Sequence, residues 1–111
     1  MKSVEEYDPD TNSWTAKAPM SIARASHQIA VVNGKTYAIS GGNSDNDGLP
    51  VNSVEEYDPI KNQWVTKASM SIGRGQHQVA VINDKIYVIG GQSSGTNYLS
   101  SVEAYDISTD T

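Results

Sequence analysis

Arginine and histidine recur together in this chain, as SIARASH at residues 21–27 and SIGRGQH at residues 71–77. The arginines, Arg24 and Arg74, occupy one position of an internal repeat. A guanidinium can hold a carboxylate or an acidic group through two parallel charge-assisted hydrogen bonds. The alternative role is to brace loop carbonyls. His27 and His77 follow three residues later, but catalysis would require a neighbouring base, acid or nucleophile, and metal binding would require further ligands. Neither is evident, so these histidines are secondary ligand candidates and no residue is assigned to catalysis, a metal or a cofactor. Asp45-Asn46-Asp47-Gly48 resembles part of a calcium loop, yet the bidentate Glu that such a loop needs is missing at the required spacing. A solvated turn is the expected reading. The pairs Glu5-Glu6 and Glu55-Glu56 alternate along strands, so the members of each pair face opposite ways and cannot act as an acid/base dyad.

The elements that position these residues follow from the repeat. SVEEYDP occurs at 3–9 and again at 53–59, Trp14 aligns with Trp64, and 24 of the 39 residues at 3–41 equal the residue 50 places on. A third copy opens at Ser101 as SVEAYD. Each period predicts four short strands separated by turns. The first is 27–32, ending at Asn33-Gly34, a strong two-residue hairpin signal. The second is 35–40, followed by a loop over 43–52; the third is 53–57, and the fourth surrounds Trp64. No segment has an amphipathic helical period.

A hairpin, Tyr37-x-Ile39-x-Gly41, a variable loop, Val54-Glu-x-Tyr-Asp-Pro, a short turn, Trp64, Met70 and then Arg74 come in an order that resembles the Kelch repeat. The resemblance covers essentially the whole chain. Ser40 departs from it, standing where the family pattern has the first of two glycines, as at Gly90-Gly91. The fold implied is all-β, built of Kelch-type β-propeller blades, each a four-stranded antiparallel sheet. Residues 1–24 would supply the last two strands of a blade, 25–68 a complete blade and 75–111 the first three strands of another. The resemblance also implies that Trp14, Trp64, Tyr7, Tyr57, Tyr37 and Tyr87 pack blade against blade, and that Arg24 and Arg74 lie at the mouth of the central channel. The expected recognition set is therefore Arg24, Arg74, Asn43, Ser44, Gln92 and Ser93, with the loops at 43–52 and 92–100.

Charge and composition narrow the partners. A formal net charge of −5 opposes nucleic-acid binding, which depends on clustered Lys and Arg. No apolar run approaches the ~20 residues of a spanning helix, and no membrane partner is expected. Cysteine is absent, which leaves the redox compartment open; the repeat style resembles bacterial surface or secreted Kelch proteins, and localisation is otherwise unassigned. Propellers close with about 4–8 blades, so about two blades per chain predict a homo-oligomer, a trimer ahead of a dimer. The expected function is a non-catalytic module that presents loops on a propeller face to a protein or glycan. Two rivals are a piece of a carbohydrate-active Kelch enzyme, disfavoured in its oxidase form because a Cys-linked Tyr is impossible here, and a purely structural or engineered assembly unit.

Overall fold

Alternating β-branched and aromatic residues between Gly, Asn and Asp turns favour short antiparallel strands. The computed structural model describes residues 2–43, 49–94 and 97–111, and over these it is all-β. Strands β1 (Val4–Asp8) and β2 (Ser13–Lys17) form a two-stranded sheet. Strands β3 (Gln28–Val32), β4 (Lys35–Ile39), β5 (Val54–Asp58) and β6 (Gln63–Lys67) form a four-stranded sheet in chain order. Strands β7 (Gln78–Ile82), β8 (Lys85–Ile89) and β11 (Val102–Asp106) form a three-stranded sheet with β8 central. A small hairpin, β9 (Gln92–Ser94) with β10 (Asn97–Tyr98), rises from the loop before β11.

Register repeats from sheet to sheet. Tyr7 opposes Trp14 and Tyr57 opposes Trp64, with ring centroids 5.1 Å apart in both pairs. Each Tyr hydroxyl donates to an Asn in the following turn, Asn12 or Asn62, at 2.7 Å. Those asparagines have positive φ, a conformation Asn tolerates because its short amide can bond locally.

The core lies between the four- and three-stranded sheets and contains Val32, Tyr37, Ile39, Val54, Met70, Ile86, Val88 and Tyr105. Tyr37 and Tyr57 are buried as expected, and Tyr87 and Trp64 are half-buried. Tyr7 and Trp14 differ from expectation: Trp14 is 66% exposed. The physical reason is local. Trp64 donates its indole N–H to the Ala18 carbonyl at 2.8 Å, from the loop that enters its own sheet, a contact that the described residues do not give Trp14.

Ser40 explains its own departure from the repeat pattern. It is buried with φ of +59°, a left-handed conformation that costs a non-glycine residue about 1 kcal/mol or more. Its hydroxyl accepts from the Arg74 N–H at 2.7 Å and donates to the Val51 carbonyl at 2.5 Å. Beside it, Gly41 has φ of +95°, and an added Cβ would stand 2.8 Å from the Ala25 carbonyl oxygen. Two sheets meet at this point, since the Gly41 N–H also donates to the Arg74 carbonyl at 3.0 Å.

Candidate functional site

The segment entering β3 crosses its own sheet at the ends of β4 and β5, which places Arg24 under the turn. Arg24 is buried. One terminal nitrogen donates to the carbonyls of Ser40 and Ser53 at 2.8 and 3.1 Å, and the other to the Ser53 hydroxyl at 3.0 Å and Glu55 Oε2 at 2.8 Å. Arg74 repeats the pattern on Gly90, Ser101 and Glu103, its guanidinium 2.8 Å from the carboxylate. The expectation that these arginines offer their forks to a ligand is therefore corrected. Arg74 is 0% exposed, and both terminal nitrogens of each fork are engaged within the protein.

The carboxylates complete each brace. Glu55 accepts the Ser21 N–H at 2.9 Å, the Ser21 hydroxyl and the Ile22 N–H. Burial alone pushes the Glu55 carboxyl up, but the Ser21 and Arg24 hydrogen bonds outweigh it and hold the group below the usual carboxylate range. Burial opposes Ser71 and Arg74 at Glu103 in the same way, and the net direction is again down. Glu56 faces elsewhere, accepting the Tyr37 hydroxyl at 2.7 Å.

His77 is fully buried, and neither ring nitrogen completes a hydrogen bond. The Ile39 and Arg74 backbones favour the protonated ring weakly, but burial first and the Arg74 charge second hold its pKa at about 4. His77 is thus neutral and packed against Gly91. His27 is half-buried against Gly41 and shifted down by burial and Arg24. The two do not form a metal site, and no group of three or more His, Asp or Glu among the described residues could hold an ion.

The remaining expected residues divide. Asn43 is buried and donates its amide to the Ala23 carbonyl at 2.9 Å. Ser93 accepts from the Asn97 amide at 2.5 Å and so fixes the β9–β10 hairpin. Ser44 and the Asp45–Gly48 turn lie outside the described residues. Gln92 alone lines an open pocket of about 200 Å³, together with Ala25, Ser26, Pro50, Gln76 and Ser94. Backbone bridges Ala25 to Gly42, Gly42 to Pro50 and Gly75 to Gln92 gather this rim from four loops.

Ser26 and Gln76 escaped the sequence reading. They are repeat equivalents, both exposed, and both in left-handed backbone at φ of +56° and +53°. The signal was available: between an identical Arg and an identical His, these positions differ from copy to copy. Tyr98 also escaped. It opposes Gln92 on the β9–β10 hairpin and is 74% exposed.

The repeat is matched directly among known proteins. The Kelch motif profile fits residues 1–21, 23–71 and 73–111. An influenza virus NS1A-binding protein homolog of Mus musculus is 43% identical over 49 residues, which is 44% of this chain and 8% of that protein. Kelch-like protein 5 of Homo sapiens is 47% identical over 38 residues, 34% of this chain and 5% of that protein. Human Kelch-like protein 7 is 42% identical over 43 residues, 39% of this chain and 7% of that protein. The chain therefore aligns with less than a tenth of each relative's length. With repeated Tyr-Trp strand pairs, buried Arg-Glu braces and a motif match running through all three copies, the chain belongs to the Kelch repeat family.

Proposed function

We propose that this chain is a non-catalytic protein-interaction module whose contact surface is the loop rim around Ser26, Gln76 and Gln92, with Tyr98 as its aromatic anchor. The observation that carries the reading is the division of labour at that rim. Arg24, Arg74 and Asn43 are buried and hold the loops, while Ser26, Gln76 and Ser94 project uncharged hydrogen-bonding groups to the outside. Loops fixed on a rigid scaffold are the usual carriers of recognition. Residues held in sparsely populated backbone regions, as Ser26 and Gln76 are, also concentrate at ligand sites.

Among the described residues the side chains that line the pocket are all uncharged, which favours amide and hydroxyl groups over carboxylates. An exposed Tyr beside such a pocket matches the aromatic anchors of protein interfaces. The name of the mouse relative, an NS1A-binding protein homolog, supports a protein partner over a glycan. Probing a combined peptide and glycan array with the intact chain tests the reading. A peptide hit that protects the amides of residues 25–26, 75–76 and 92–98 from hydrogen exchange is expected. A glycan hit on the same amides would replace the partner class, and protection elsewhere would displace the site.

A further inference from the structure

We propose that Asn33-Gly34 is a self-modifying turn, in which the asparagine converts in water to aspartate and isoaspartate and the new carboxylate repels Asp84, loosening a tie between two sheets. The inference is independent of the rim reading above. Ser26 precedes β3 and this turn follows it, at the opposite end of the strand.

The chemistry is that of a side-chain amide next to a main-chain nitrogen. The Gly34 nitrogen attacks Asn33 Cγ, its proton passes to solvent base, and the Cγ–Nδ2 bond breaks to release ammonia. The product is a cyclic succinimide. Water then adds to one of the two ring carbonyls. Opening at Cγ leaves aspartate, and opening at the main-chain carbonyl carbon leaves isoaspartate, with the backbone running through Cγ. Asparagine and water thus become an acid and ammonia, and nothing is oxidised or reduced.

Sequence and structure single out this turn. Of the chain's eight asparagines, only Asn33 precedes glycine, the residue that gives the attacking nitrogen most freedom of approach. Both turn residues are exposed, with φ of +52° and +75°, and an added Cβ at Gly34 would meet nothing within 4 Å. The ladder pairs Val32 with Lys35 and leaves the peptide between Asn33 and Gly34 outside it. A ring can therefore form there without displacing a packed neighbour.

Other asparagines are held more closely. Asn12 and Asn62 accept Tyr hydroxyls at 2.7 Å, Asn43 and Asn52 donate to main-chain carbonyls at 2.9 and 3.0 Å, and Asn97 donates to Ser93 at 2.5 Å. The Asn33 amide makes a longer bond, 3.3 Å to Asp84 Oδ1. One repeat later the same turn reads Asn83-Asp84, with a side chain at the glycine position.

Asp84 turns the chemistry into a structural effect. It lies in the β7–β8 turn, 51 residues on, and its main-chain carbonyl accepts the Ile107 N–H at 3.3 Å. The Asn33 amide thus links a turn of the four-stranded sheet to a turn of the three-stranded sheet. A carboxylate in its place removes the donor, sets two like charges face to face and adds to a formal charge already at −5. Lys35, beside the turn, is engaged with Glu56 at 3.5 Å. Isoaspartate also lengthens the backbone of a two-residue turn whose twist must match its strands. The change runs one way, since the ammonia is lost to solvent.

Peptide mapping by mass spectrometry of the intact chain, held in mildly alkaline buffer, tests the site, with isoaspartate scored by enzymatic methylation. Conversion at Asn33 is expected before any other asparagine and faster as pH rises, with Asn83 lagging in the equivalent turn. Conversion elsewhere first, or an Asn33 that stays intact while a urea-unfolded sample converts, would overturn the proposal. Asn33→Asp supplies one product directly, and its thermal midpoint is expected below the parent's. The gap should narrow in high salt, which screens exposed charges, and in Asn33→Asp/Asp84→Asn, which restores a donor. An Asn33→Asp chain as stable as the parent, or a gap that Asp84→Asn leaves unchanged, would overturn the tie to Asp84.

Discussion

Arg24 and Glu55 stand 31 residues apart in sequence and 2.8 Å apart in space, and both side chains are almost wholly removed from solvent. The pair ties the loop entering the four-stranded sheet to that sheet's third strand, and Arg74 with Glu103 does the same one repeat later. Removing one partner of a buried pair leaves an uncompensated charge, which costs about 3–5 kcal/mol. Arg24→Ala is therefore expected to destabilise the fold by about that amount in chemical denaturation. Arg24→Lys should rescue little, because a single ammonium cannot reproduce the four-contact fork. Full recovery with Lys would mean that charge alone matters at this position.

Ser40 gives a sharper comparison. Ser40→Ala keeps the left-handed backbone strain and leaves the Arg74 N–H without its acceptor, so a loss of about 2 kcal/mol is expected. Ser40→Gly also removes the hydroxyl but relieves the strain, and should cost about 1 kcal/mol less than Ala. Urea unfolding of both variants decides this; an Ala variant as stable as Gly would show that the strain is negligible.

Trp14 and Trp64 test how far repeat position determines burial. Deleting a packed aromatic costs about 3–5 kcal/mol, and Trp64→Ala should approach the lower end because its ring is half-buried but hydrogen-bonded. In dilute solution, Trp14→Ala should cost under about 1 kcal/mol, like an ordinary surface change. Equal losses for both would mean that Trp14 is covered even in the single chain.

Stability should fall in acid, beginning above the carboxylate range. His77 has its pKa depressed from 6.5 to about 4 by burial and Arg74, so the unfolded chain binds its proton first. Its contribution is intact above pH 6.5 and is lost as pH falls toward about 4, amounting to about 3 kcal/mol. Glu55 and Glu103, also held down, add losses below about 4.5 as they protonate. Thermal midpoints between pH 7 and 4 should show this slope, and His77→Asn should flatten the part between 6.5 and 4.5.

The strand order was legible in the sequence because Asn33-Gly34, Gly90-Gly91 and the repeated Tyr-Trp spacing mark turns and strand faces directly. Strand limits shifted by one residue, with His27 and Ser40 falling just outside β3 and β4. The roles of the arginines were not legible. Whether a guanidinium faces a ligand or its own sheet depends on where Glu55 comes to lie, a contact made across 31 residues and invisible to local pattern. Ser26 and Gln76 were hidden for a related reason: neither is a glycine, yet both hold left-handed backbone beside tertiary bridges at Ala25 and Gly75.

The central claim is that holding the loops and contacting the partner belong to different residues, and one paired measurement addresses it. Calorimetric titration of a peptide selected on the intact chain, with denaturant unfolding on the same samples, should be run on Ser26→Ala/Gln76→Ala. The account predicts a loss of affinity of at least ~10-fold, about 1.4 kcal/mol, with unfolding free energy unchanged to within about 0.5 kcal/mol. Unchanged affinity in a variant as stable as the parent would contradict it.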